Sequence, residues 1–186
     1  MAEAELLPGR VHGERQTPAL KIRIASALEL PAVNMIIDMA VATWDTTDRV
    51  KRLAGPVYRY SPGDFDNMWV MVAEDDDGVL LGMAALEEAD KDDLPVPGRG
   101  LLLHGIFITP VAMGRGVGRA LMETSTGIAL QMGYRGLLVK AVRQSRGFFE
   151  RCGLSACDPV DDSDYPHRYW CEMAGGSRTA AAANAV

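Results

Sequence analysis

Residues 101–122, LLLHGIFITPVAMGRGVGRALM, constrain this chain more than any other stretch. An apolar run long enough to make a buried strand passes through a turn at Pro110 into a helix opened by Gly114, Gly116 and Gly118. A helix N-terminus carries unpaired N–H groups and the positive end of a dipole, so it attracts anions. Glycines bring no Cβ atoms to that tip, and phosphate oxygens can then approach several amides at once. The segment reads as a phosphate cradle between a buried strand and a packed helix. A tight chain reversal with no ligand is the plainer reading of the same glycines.

Spacing separates this cradle from two familiar ones. A dinucleotide fingerprint G-x-G-x-x-G begun at Gly114 would require glycine where Arg119 stands. A nucleoside-triphosphate loop ends in G-K-[ST], and no such tripeptide follows here.

With 186 residues, 48% of them hydrophobic, the chain can bury one good core and is short for two. Cys152, Cys157 and Cys171 are odd in number and form no C-x-x-C pair, which points to a reducing, cytoplasmic setting and away from a zinc site shared with His104 or His167. The first 18 residues contain no apolar segment of signal type, and no run of 18 apolar residues occurs, so a membrane is not an expected partner. The net charge of −6 argues against nonspecific nucleic-acid binding. It hides an asymmetry: residues 113–151 hold seven basic and two acidic side chains, a local +5 that leaves −11 elsewhere. An anionic ligand finds its charge partners beside the cradle.

Residues 1–18 and 174–186 lack periodicity and are expected to be a flexible arm and tail around a single domain at 19–173. Inside it, alternation or apolar runs predict strands at 21–25, 69–73, 79–86, 101–108, 136–141 and 167–173. Helices are predicted at 31–42, around 46–53, from the cradle to Gly133, and at 144–152.

The strand, the Pro110 turn, the glycine cradle and the amphipathic helix together resemble motif A of the GNAT superfamily of N-acetyltransferases, R/Q-x-x-G-x-G/A, laid over Met113, Gly114, Arg115, Gly116, Val117 and Gly118. The resemblance is clearest over residues 101–154 and implies an α/β fold of order β-α-α-β-β-β-α-β-α-β-β, a mixed, strongly twisted sheet flanked by helices. It implies acetyl-CoA as cosubstrate, with no metal. The cradle would hold the diphosphate with help from Arg115 and Arg119, and Met113 would offer its amide in place of the family's Arg or Gln. The backbone of Ile106, Phe107 and Ile108 would pair with the pantetheine arm and polarise the thioester carbonyl.

An amine acceptor arrives as an ammonium of pKa near 10.4, of which roughly one molecule in several thousand is nucleophilic at neutral pH. A proton acceptor is therefore needed. His104 is the candidate, since it shares strand parity with Ile106 and Ile108 unless a bulge intervenes. A histidine hydrogen-bonded within the fold is the alternative, and Glu87 and Glu88 are the next acceptors. The family's second motif, an Asn, a Tyr seven residues on and a Gly four beyond, falls on Val142, Phe149 and Gly153; Phe149 cannot protonate a thiolate. Cys152 lacks a histidine partner that would make it a nucleophile.

For the acceptor, the resemblance points to the loops holding Asp45 and Asp48 and holding Asp158, Asp161, Asp162 and Asp164, acidic rims that would draw a cationic small-molecule or peptide amine. Trp44, Tyr165 and Tyr169 are candidate aromatic walls. Two other functions stay open: a noncatalytic acyl-CoA-binding sensor, motivated by Val142 and Phe149, and an interaction domain with a relict cradle. Dimers are common in the family, which leaves a homodimer open.

Overall fold

A computed structural model describes residues 20–157 and 167–173. Along them run β1 (Lys21–Ile24), α1 (Leu30–Ala42), α2 (Asp48–Tyr58), α3 (Pro62–Asn67), β2 (Trp69–Glu74) and β3 (Leu80–Glu88). Then come β4 (Leu101–Ile108), α4 (Val117–Gln131), β5 (Gly136–Ala141), α5 (Arg146–Arg151), β6 (Ser155–Cys157) and β7 (His167–Glu172). The expected arm and tail fall outside the described residues.

The strands form one mixed sheet of order β1-β2-β3-β4-β5-β7-β6. Every neighbouring pair is antiparallel except β4 and β5, which α4 joins as a parallel crossover. Alternation sorts the side chains into two layers. Met71, Ala73, Ala84 and Leu86 meet Val117, Leu121 and Met122 of α4 on one face. Val70, Val72, Met83 and Ala85 meet Val33, Ile36 and Ile37 of α1 on the other. The β3–β4 connection covers the rest of that second face, packing Leu94 and Val96 near Leu138 and Trp170.

Two differences from the sequence reading have local causes. Helix α3 was not expected; Ser61 and Asp64 form a reciprocal capping box around Pro62, enough to close one and a half turns. Helix α2 starts behind a Thr47 cap and runs through Pro56 to Tyr58 rather than stopping near Leu53. So close to the C-terminus, the proline removes only a bond to the Arg52 carbonyl, and the helix tolerates it.

Two irregularities of β4 position the site. Between Ala85↔Gly105 and Leu86↔Leu103 the register slips by one, which makes His104 the extra residue of a β-bulge. Leu101 and Leu103 before the bulge, and Ile106 and Ile108 after it, all pack in the α4 layer, whereas Phe107 packs in the α1 layer. The parity expected for His104 is therefore broken, and its side chain lies on the α1 face beside Tyr60. The second irregularity is that β4 pairs with β5 only through Leu101↔Leu137, Leu102↔Leu138 and Leu103↔Val139, after which the strands part.

Candidate active site

The tip of α4 is built by its loop. The Thr109 hydroxyl, buried at the end of β4, donates to the Leu81 carbonyl at 3.0 Å, and a single 3-10 turn over Pro110–Ala112 reverses the chain. Gly114 (φ +74°) and Gly116 (φ +86°) then take left-handed conformations that an L side chain rarely adopts. A Cβ added at either would meet no atom within 4 Å, so the space in front of them is open. Gly118 has a different role: its Cβ would lie 3.0 Å from the Phe148 ring, and its absence lets α5 approach α4.

Among the described residues, no backbone carbonyl accepts from the N–H groups of Gly114, Gly116, Val117, Gly118 or Arg119. The Met113 and Arg115 amides are turned inward, to Pro110 O at 3.4 Å and Ala112 O at 3.3 Å. The Val117 side chain is buried in the core, which fixes the direction of the free amides around it. Arg115 and Arg119 are exposed at this tip, and Arg119 Nη2 reaches the Arg151 carbonyl at 3.4 Å. Much of the local positive excess is compensated by ion pairs, Lys140 with Asp93, Arg135 with Glu172 and Arg146 with Glu150.

A cavity of about 1160 Å³ starts at this tip. It is lined by Gly114, Gly116 and Arg119, passes Ile106, Ile108 and Ala141 where β4 and β5 part, and opens toward α1 and α2 at Trp44, Tyr58 and Tyr60. The backbone inside the gap is oriented by pairing. Thr109 N–H donates to Leu81 O at 2.9 Å; by the alternation of antiparallel ladders, Phe107 also turns its backbone to β3 while Ile106 and Ile108 turn theirs to the gap. Of the three strand residues singled out in the sequence, these two present free backbone groups.

His104 sits on the α1 side of the gap, with its side chain 45% exposed. Its Nδ1 lies 3.0 Å from Tyr60 Oη, and its Nε2 lies 4.0 Å from a Glu87 carboxylate oxygen. His104 is hydrogen-bonded within the fold and also lines the cavity. Tyr60 is held in turn by Asn34 of α1, whose amide accepts from the Tyr60 N–H and donates to the Tyr60 carbonyl, each at 2.9 Å. The Asp64 carboxyl of α3 is held below the usual range chiefly by the Ser61 backbone N–H and hydroxyl, with nearby His104 a lesser influence.

Four carboxylates line the cavity: Glu87, Glu88, Asp90 and Asp93. Glu88 is taken by Arg99 at 2.9 Å, a pairing that holds its carboxyl below the usual range, and Asp93 is taken by Lys140 at 2.6 Å and by Arg168. Trp44 lines the cavity as expected, whereas Tyr169, Asp45 and Asp48 do not. Tyr169 is buried in the α4 layer with its hydroxyl donating to Glu150 at 3.2 Å. Asp158, Asp161, Asp162, Asp164 and Tyr165 lie outside the described residues.

Phe149 is 3% exposed and packs between Phe148 and Tyr169. Cys152 lines the cavity near Arg119, and burial pushes its thiol up, which keeps it protonated and a poor nucleophile. Among the described residues no group of three or more His, Cys, Asp and Glu is arranged to hold a metal ion. None of the helices there is long and apolar enough to cross a membrane.

Tyr60 and Asn34 were not legible as site residues, because 44 positions separate Tyr60 from His104 and only the bulge brings them together. Gly105 carried a faint signal, a glycine inside a strand pattern, which marks bulges and close approaches.

The architecture is that of several solved structures. The PaiA N-acetyltransferase from Thermoplasma acidophilum, solved in complex with coenzyme A, is 13% identical over 83% of this chain and 99% of that one, with a TM-score of 0.67. A GNAT family acetyltransferase from Brucella melitensis, in complex with acetyl-CoA, is 16% identical over 84% and 89%, with a TM-score of 0.58. A GCN5-related N-acetyltransferase from Kribbella flavida is 23% identical over 83% and 98%, with a TM-score of 0.57. At these identities the likeness concerns the fold. No curated protein sequence matches the chain. The model of the acetyltransferase (GNAT) family matches residues 36–154, a span that includes the parted strands, the cradle and the His104 bulge, and the chain belongs to that family.

Proposed function

We propose that this protein is an N-acetyltransferase that moves an acetyl group from acetyl-CoA to a primary amine by direct attack, and that it favours cationic acceptors. The observation that carries the reading is the single cavity joining the open α4 tip to His104 through the gap between β4 and β5. The residues fit the cosubstrate: unpartnered amides at Gly114, Gly116, Val117, Gly118 and Arg119, with open space in front of two glycines, suit a diphosphate, and Arg115 and Arg119 add charge-assisted bonds. Acetyl-CoA supplies the activated acetyl group.

The chain's own residues do the rest. The Ile106 and Ile108 backbone groups offer donors and acceptors to an extended arm in the gap, and one N–H aimed at a developing oxyanion contributes about 3 kcal/mol of transition-state stabilisation. His104 Nε2 takes the proton from the incoming ammonium, and Glu87, 4.0 Å away, offsets the charge that then forms on the ring. Glu87 and Asp90, which form no ion pair with Lys or Arg among the described residues, draw cationic acceptors past Trp44 and Tyr58.

Thiol release from acetyl-CoA, measured with polyamines, aminoglycosides, amino acids and basic peptides, tests this. Turnover with a cationic amine is expected, together with a rise in melting temperature on adding coenzyme A. A folded protein that gives no response to coenzyme A overturns the proposal. Phe149, which has no proton to give a leaving thiolate, favours a second reading, an acyl-CoA-binding sensor. A sensor shows the melting shift without thiol release from any amine.

A further inference from the structure

We propose that Tyr60 is a positioning residue for His104: its phenolic oxygen accepts the Nδ1–H of the imidazole and so keeps the Nε2 lone pair available to the reacting amine. The proposal rests on the acetyl-transfer reading and adds to it a residue that no family motif in the chain touches.

A neutral imidazole has one N–H and one lone pair, on different nitrogens. If the proton sits on Nε2, the nitrogen nearest Glu87 and the cavity is a donor and can accept nothing; in water that is the commoner form. A base acting through Nε2 needs its proton held on Nδ1, and holding it there takes an acceptor on the Nδ1 side. Tyr60 Oη is that atom, 3.0 Å from Nδ1.

Three independent features aim the hydroxyl there. Tyr60 is 6% exposed, and its backbone is clamped in both directions by Asn34 at 2.9 Å. A Cβ on Gly105 would lie 2.8 Å from Tyr60 Oη, so the strand is bare where the phenol approaches. The bulge that makes His104 the extra residue of β4 turns its ring to this face and away from Ile106 and Ile108. When the ammonium gives up its proton, the amine nitrogen keeps the electron pair and the proton moves to Nε2. The imidazolium then has Nδ1–H on Tyr60 and Nε2–H toward Glu87, with Asp64 of α3 adding a second negative charge nearby.

The test is nitrogen NMR of the full chain with labelled histidine, signals assigned with His104→Gln, alongside steady-state kinetics with acetyl-CoA. The wild-type protein is expected to carry its His104 proton on Nδ1. Tyr60→Phe should move that proton mainly to Nε2 and lower kcat roughly tenfold with KM for acetyl-CoA unchanged and the signals of His12 and His167 in place. Gly105→Ala, which displaces the hydroxyl instead of deleting it, should move the tautomer in the same direction. An active enzyme whose His104 carries Nε2–H, or a Tyr60→Phe protein with tautomer and kcat both unchanged, overturns the positioning role and leaves acetyl transfer standing. A Nδ1–H histidine in a protein that transfers no acetyl group to any amine overturns the acetyl-transfer reading instead.

Discussion

Gly116 and Gly118 look equivalent in the sequence and are not. Gly116 is the N-cap of α4 at φ +86° with open space before it, so an alanine there costs about 1 kcal/mol of backbone strain and projects a methyl group into the cradle. Gly116→Ala is expected to lower stability by about that amount in chemical denaturation and to weaken coenzyme A binding in calorimetry. Gly118→Ala is expected to act through packing instead, because its methyl group would press on the Phe148 ring at 3.0 Å, lowering stability and weakening coenzyme A binding less than Gly116→Ala does. The spacing of the glycines was readable as a cradle, but their division of labour depends on φ angles and on a ring from another helix.

At the scale of elements, the site depends on how α1 holds the turn between α2 and α3. Asn34 bonds both backbone groups of Tyr60, and Asn34→Ala removes these two part-buried hydrogen bonds. A loss of roughly 2 kcal/mol, read as a fall in Tm of about 4–8 °C, is expected together with reduced turnover. Asp38→Ala, which removes the exposed pair between α1 and Arg59 of the same turn, should leave turnover near the wild-type value. Most elements were legible from periodicity, including β4 to the residue, because apolar runs and alternation report burial directly. Helix α3 was missed because its six residues, PGDFDN, are too few to show a period. The bulge was missed because register is a property of two strands at once.

For the molecule as a whole, carboxylates tied to cations or amides set the acid limit. Glu29 is lowered from 4.5 to about 2, chiefly by its hydrogen bonds from Arg23 and then by the Ser26 N–H. Glu74, paired with Lys21 and Arg23, Glu88, paired with Arg99, and Asp64, capped by Ser61, are lowered as well. Each binds protons less readily folded than unfolded, so its contribution is complete above the unfolded value and is lost as pH falls toward the folded one. Denaturation midpoints are therefore expected to be level above pH 5 and to drop between about pH 4.5 and 2, and Glu29→Gln should flatten that drop. A midpoint that does not change across this window would sink the assignment.

What the residues determined by themselves is the local material: where strands and helices form, that a bare helix tip follows a buried strand, and that Arg115 and Arg119 stand beside it. These follow from burial periodicity, from the lack of Cβ atoms and from charge, each of which acts over a few neighbours along the chain. What only the tertiary structure decided is the chemistry at the far end of the cavity. His104 faces Tyr60 because of a one-residue slip between β3 and β4, the cavity exists because β4 and β5 stop pairing after Leu103 and Val139, and two of four carboxylates are already neutralised, Glu88 by Arg99 and Asp93 by the distant Lys140. Register, strand parting and ion pairing are set by contacts between segments far apart in the chain, and no local pattern encodes them.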